Sequence, residues 1–312
     1  MFGKFIKTIK KIKHPVKEMF RDESGVSVIF GALLLLAILT LFLSAFLLTA
    51  LPAKVMSEES ADNDLILSGI LKLSEKTAAS SSHSFYSKHS AIQAVESEGG
   101  ILFAVASGLS APPETESFLK SDSFNHDLFF GFNDDLADDF VFYRLSSGSL
   151  IFSSRYSQIP DRVYSLGDSS LLLIQEGGSS FLKPPAVFVR KNDGKILISM
   201  SGDIIRSASS PVFGDLTTLN YRVIQKAEVY DFATAVCIFY IPPGQDSFFN
   251  ETVAVQREKA FKQWILEFEN NLNRNFPELK TKSDADNLMI VISSDSAFEI
   301  DITVREIEYV IL

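Results

Sequence analysis

The sequence predicts an α+β protein: an N-terminal transmembrane helix with a helical extension on the exported side, then a mainly antiparallel, sandwich-like β domain carrying one amphipathic helix near 253–275. Three observations predict it. Val26 to Leu51 (VSVIFGALLLLAILTLFLSAFLLTAL) holds no charged residue. From about residue 128 onward, short alternating apolar segments are punctuated by turn residues, the mark of closely spaced hairpins. Between Val253 and Asn275 the apolar residues instead recur at helical spacing.

Crossing a hydrocarbon core of roughly 30 Å takes about 20 apolar residues, so the first run spans a bilayer with some tilt. Lys and Arg close to a span stay in the cytoplasm. The basic leader, 1–25, sets Lys4, Lys7, Lys10, Lys11, Lys13, Lys17 and Arg21 against Glu18, Asp22 and Glu23, a net charge of +4. With the whole chain at −10, everything after Gly25 stands at −14. The expected topology keeps the leader inside and exports about 260 residues. A secretory signal has an apolar core of about 7 to 15 residues followed by small residues. This core is longer, and Leu48 and Leu51 stand two positions before Ala50 and Ala53, so no cleavage is expected after the span. No Cys lies near either end of the span to carry a lipid.

At Gly25-Val26-Ser27, with Gly31 near the start of the apolar run, the chain resembles the class III signal peptides of archaeal type IV pilins and archaellins. The resemblance implies that a prepilin-type peptidase cuts between Gly25 and Val26 on the cytoplasmic side, and that the helix then joins other pilin-like subunits. Two features depart from the pattern. Ser24 occupies the position before the Gly that is usually charged, and the helix lacks the Glu that bacterial pilins carry near its start. Pilin-like proteins with large exported domains often leave the membrane through a Pro and an acidic helical segment, matched here by Pro52-Ala53 and Glu58 to Leu65. The likeness covers roughly residues 15 to 75.

The expected organisation is a leader at 1–25, a transmembrane helix at 26–51, a helical stalk at 52–84 and a β-rich domain at 85–312. Residues 55 to 78 offer an apolar stripe of Val55, Met56, Leu65, Ile66, Ile70, Leu71 and Leu73. Pro52 is expected to kink or break the helix before it, and the Ser-rich stretch from Ala78 to Ser84 to end it. Ala111-Pro112-Pro113-Glu114 reads as a boundary.

In the β region, Phe140 to Arg144 and Ser149 to Phe152 read as a hairpin around Ser146-Ser147-Gly148. Ala186 to Arg190 and Lys195 to Ser199 read as another around Asn192-Asp193-Gly194, where Asp-Gly supplies the positive φ angles of a tight turn. Further strands are expected at 171–175, 221–230, 234–241, 287–293 and 298–311. In the last, Phe298, Ile300, Ile302 and Val304 alternate with polar neighbours before the phase shifts to Ile307, Tyr309 and Ile311, which predicts a bulge or bend near Arg305-Glu306. The 253–275 helix presents Val255, Phe261, Trp264, Ile265, Phe268 and Leu272 on one face, with Trp264 as its anchor to the sheet.

The single Cys237 precludes an intramolecular disulfide and reads as a buried core thiol. The acidic exterior argues against nucleic acid, which demands clustered Lys and Arg. The leader's basic residues read instead as an orientation signal touching membrane lipid. No catalytic, cofactor or metal constellation stands out. Asn133 to Asp139 lacks the Gly and spacing of an EF-hand and reads as a solvated acidic turn. His83 and His89 have no acidic or Cys partner beside them, and Gly177-Gly178-Ser179-Ser180 lacks the Lys of a phosphate loop. Asn250-Glu251-Thr252 is a glycosylation sequon. The resemblance implies a surface pilin-like protein that displays an acidic head for adhesion or cell-surface interaction. The runner-up reading is an unprocessed single-pass anchored binding or envelope protein. A membrane-tethered enzyme whose residues meet only in the fold is the third reading.

Overall fold

A computed structural model describes residues 25–79, 95–103, 117–134, 139–156, 158–206, 212–213, 217–242 and 251–311. The chain divides into two compact units, Met1–Ser57 and Glu58–Leu312.

Helix α1 (Gly25–Ala79) continues through Pro52 as one element, so of the kink or break expected there the break does not occur. A proline removes one N–H from the helical ladder and crowds the preceding turn, but the apolar residues before it and the packed residues after it keep the other bonds in place. The described helix runs to Ala79, and the Ser-rich stretch expected to end it lies mostly outside the described residues. Within Glu58–Leu312, Ile66, Ile70 and Leu73 lie buried at the spacing of one helical stripe, whereas Leu65 of the expected stripe is exposed.

The domain is mainly antiparallel β-sheet. Strands β1 (Val95–Phe103), β2 (Ser117–Asp134), β3 (Asp139–Ser154), β4 (Arg162–Gly167), β5 (Ser170–Gln175) and β6 (Gly178–Lys183) come first. Then follow β7 (Ala186–Asn192), β8 (Lys195–Ile205), β9 (Val212–Phe213) and β10 (Thr217–Ile241). After helix α2 (Glu251–Asn275) come β11 (Leu279–Asp284) and β12 (Met289–Ile311). Hydrogen bonds join all twelve into one sheet, whose main order is β6-β5-β4-β3-β2-β10-β12-β8-β7. β1 pairs with β10, β11 with β12 and β9 with β2. Only β12 and β8 run parallel among the described pairs.

The β7–β8 hairpin forms as expected, with Asp193 and Gly194 at φ 49° and 83°. The hairpin expected at Ser146-Ser147-Gly148 does not form. β3 runs straight through, and the irregularity falls on its partner, where Asp122 and His126 of β2 oppose Ser149 and Ser147. Ser147 is buried, and its hydroxyl accepts the Ile205 amide at 3.2 Å, a contact from a distant strand that outweighs the local turn preference. The segments 221–230 and 234–241 likewise belong to one strand, β10, interrupted by register shifts between Tyr230 and Ala235.

No bulge forms at Arg305-Glu306. β12 pairs with β10 without a slip from Ile300 to Ile311, and with β8 from Glu299 to Ile307. The apolar phase shifts because the same ribbon serves two cores on opposite faces. Ile300 and Ile302 join Ile198 and Met200 in the first core. Ile307 and Tyr309 join Tyr221, Val223 and Ile205 in the second, which the stripe of α1 covers. The sheet also folds over. A Cβ added at Gly202 of β8 would lie 1.9 Å from the Leu145 side chain of β3, although these strands are not neighbours in the sheet. α2 closes the first core with Phe261, Trp264, Ile265 and Leu272, and Trp264 stacks on Phe268 with ring centroids 5.1 Å apart. Val255, expected on that face, is 43% exposed, and Val253 is buried in its place.

Candidate functional site

The first candidate site is the apolar half of α1. Twenty-six residues at about 1.5 Å each give roughly 39 Å of helix, more than a hydrocarbon core requires. Among the described residues this is the one helix long and apolar enough to cross a membrane, and its most apolar stretch has no residue buried by the protein. Phe42 and Leu48 are 75% and 77% exposed, and the neighbouring leucines and phenylalanines project on all sides. Thr40 returns its hydroxyl to the Leu36 and Ala37 carbonyls at 2.9 Å, and Thr49 to Ala45 at 2.7 Å. These hydroxyls therefore need no outside partner, as a hydrocarbon surrounding demands. Gly25 and Val26 are the first described residues of the helix.

A second cluster is buried charge. The β4–β5 turn puts Asp168 and Ser169 at φ 51° and 59°, a conformation that costs non-Gly residues energy. Each is clasped by an arginine. From α2, Arg257 reaches Asp168 at 3.6 Å and donates to the Ser165 hydroxyl at 2.9 Å. From β12, Arg305 pairs with Asp203 of β8 at 2.6 Å and donates to the Ser169 hydroxyl at 2.7 Å. All four charged groups are buried, so each guanidinium compensates a desolvated carboxylate. Nearby, Lys183 donates to the Ser74 hydroxyl of α1 at 2.7 Å, and burial lowers its pKa. The Glu59 carboxylate of α1 accepts the amides of Gln158 and Ile159, and Asn63 accepts the Tyr164 hydroxyl at 2.8 Å. The hydroxyls of Ser165 and Ser169 face guanidinium groups and that of Ser74 an ammonium, and the cluster locks the turn, α2 and α1 onto the sheet.

A third feature is an aromatic outer face on β3, β2 and β10. Phe129 and Phe239 stack at 4.3 Å with planes 3° apart, and Phe142 leans on both. Phe140 and Phe142 remain 53% and 49% exposed. Gly131 permits this layer: a Cβ there would lie 2.7 Å from the Phe140 ring. Cys237, opposite Gly131 in the pairing, lies on this face and is only partly covered, so the core position expected for it is wrong. The neighbours Val236 and Ile238 take the core, since strand side chains alternate. On the inner face, the hydroxyls of Tyr143 and Tyr230 both donate to the Glu228 carboxylate.

Gly177 lies in the β5–β6 turn and Gly178 opens β6, with φ of 96° and 157°. Asn133 does not reach into solvent for a cation; its side-chain oxygen accepts the Thr234 and Ala235 amides at 3.1 and 2.6 Å. Among the described residues no group of three His, Cys, Asp or Glu side chains is placed to hold a metal. Residues 1–24 of the leader, His83, His89, the Pro112-Pro113 boundary, residues 135–138 and Asn250 of the sequon lie outside the described residues. Sequence reasoning missed the Arg257 and Arg305 pairs and the aromatic face. Asp203 directly before Ile204 and Ile205 in a strand-like stretch, and Arg305 at the phase shift, were the available signals. Comparison with protein families, curated proteins and solved structures finds no match to this chain.

Proposed function

We propose that the chain is a type IV pilin-like surface protein of the archaeal kind. Its apolar helix anchors it in the cell membrane with the amino terminus inside, and its acidic, sandwich-like domain is displayed outside for adhesion or cell-surface contact. A prepilin-type peptidase cuts between Gly25 and Val26, and the freed helix packs with other pilin-like subunits, possible only once partners replace lipid around it. The supporting observation is the run of exposed apolar side chains on a continuous helix directly behind the Gly25-Val26 junction. In this reading the protein carries no catalytic centre, cofactor or metal, binds no nucleic acid, and bears a glycan at Asn250 if the host modifies sequons.

Intact mass and N-terminal sequencing of the native protein test it. A mature start at Val26 is expected, with protease accessibility placing 58–312 outside the cell. Ser24 before the junction and the absence of an acidic residue early in the helix favour a second reading, an unprocessed single-pass anchored binding or envelope protein. A retained leader would select it, and a cytosolic domain would exclude both.

A further inference from the structure

Strands β3, β2, β10, β12 and β11 lie side by side with β10 in the middle, and their outer face has two unlike margins. The β3 margin presents Phe140, Phe142 and Arg144, all exposed. The β11 margin presents Lys282 and Asp284, whose side chains point away from the buried Ile290 and Ile292 of β12. Pairing register ties the margins together. One row runs from Arg144 through Phe129, Phe239 and Met289 to Asp284, and the next from Phe142 through Gly131, Cys237 and Val291 to Lys282.

We propose that this face is the interface between two copies of the chain, related by a two-fold axis along β10. That rotation lays the aromatic margin of each copy over the charged margin of the other. Arg144, whose guanidinium also holds Asp127 of its own chain at 2.8 Å, then lies over the second copy's Asp284, whose carboxylate also accepts from Asn287 at 2.7 Å, and the Phe142 ring meets the second copy's Lys282 ammonium, each contact made twice. Cys237, central in its row, faces its own equivalent. A lipid surface or an apolar partner of another kind would use the rings but give the exposed Lys282 at the far margin no aromatic or acidic counterpart. The area is also telling. Phe140, Phe142 and Ile241 are each close to half exposed, and a phenylalanine side chain carries about 150–250 Å². With the partly covered residues between them, the face offers on the order of 500 Å² per copy, or about 1,000 Å² in the pair, the lower limit for a specific contact. Such a contact is weak in dilute solution and fills when membrane anchors hold copies at about millimolar effective concentration. It requires no removal of the leader.

The single cysteine makes the test specific. Full-length protein in detergent micelles and in membranes is treated with a short bis-maleimide at mildly alkaline pH, because burial raises the Cys237 thiol. A covalent dimer is expected, and Phe142→Glu should cut its yield at least tenfold. Arg144→Asp and Asp284→Arg should each cut it likewise, and the double reversal should restore it, which lost folding could not mimic. A monofunctional maleimide that labels Cys237 while the bis-reagent gives no dimer overturns the proposal, as does a double reversal without rescue. Sedimentation of the solubilised protein decides the case independently of thiol reactivity: a monomer at every concentration, unchanged by Phe142→Glu, also overturns it. N-terminal sequencing is a separate readout, so a dimer with a retained leader defeats the pilin reading alone.

Discussion

Replacing Arg305 by Met tests whether the buried charges hold the domain together. The guanidinium lies 2.6 Å from the Asp203 carboxylate and 2.7 Å from the Ser169 hydroxyl, with both charged side chains less than a tenth exposed. Removing one partner strands the other in a desolvated site, a loss of about 3–5 kcal/mol. For a domain near 250 residues, about 2–4 °C of melting temperature accompanies each kcal/mol, so the midpoint should fall by roughly 6–20 °C. The assay is thermal unfolding of the full-length protein in detergent, followed by circular dichroism. The paired replacement Asp203→Leu with Arg305→Met removes both charges and should recover most of the loss, since a well-packed apolar pair of similar volume often equals a buried ion pair. A single variant that melts within about 2 °C of the parent, or a double variant no better than the single, would refute the reasoning.

Glu59→Gln weakens the charge-assisted bonds from the Gln158 and Ile159 amides, so stability should drop by about 1–3 kcal/mol and hydrogen exchange at those two amides should quicken; unchanged protection there would contradict the contact. Burial raises the Asp301 carboxyl above its ordinary value near 3.8, partly offset by Arg190. The folded state therefore holds this proton more tightly, and the associated stability, complete below the unfolded value, is lost as pH climbs through the raised one. Asp301→Asn should melt higher than the parent at pH 7 and lose that advantage near pH 3; a difference independent of pH would show that the carboxylate is not the cause. Gly202→Ala places a methyl 1.9 Å from Leu145 and should cost about 1–3 kcal/mol by overpacking, while Leu145→Val in the same chain should return part of it, both read by thermal melts.

What the sequence made legible was local. Asp193-Gly194 specifies its turn because few residues accept the required backbone angles, and the Val253 to Asn275 stripe specifies a helix because its spacing has no strand equivalent. The apolar half of α1 was readable from composition alone. Ser146-Ser147-Gly148 misled because its turn preference is weak beside pairing on both flanks and the Ile205 amide bond, neither of which is local. The phase shift in β12 was visible, but its origin in two cores required knowing what lay on each face of the sheet. Asp203 and Arg305 are 102 positions apart, so nothing in either neighbourhood announces the pair. The aromatic face was hidden because Phe140-Val141-Phe142-Tyr143 is an unbroken apolar run, from which the inward and outward residues cannot be told apart.

The β10–β12 ribbon leaves neither core a life of its own. Loss of one residue between Tyr221 and Tyr230 would turn the side chains that follow inside out, and through the shared backbone bonds the damage would reach both hydrophobic interiors together. Melting should accordingly register as a single event by every probe, with no stage at which half of the domain survives the other.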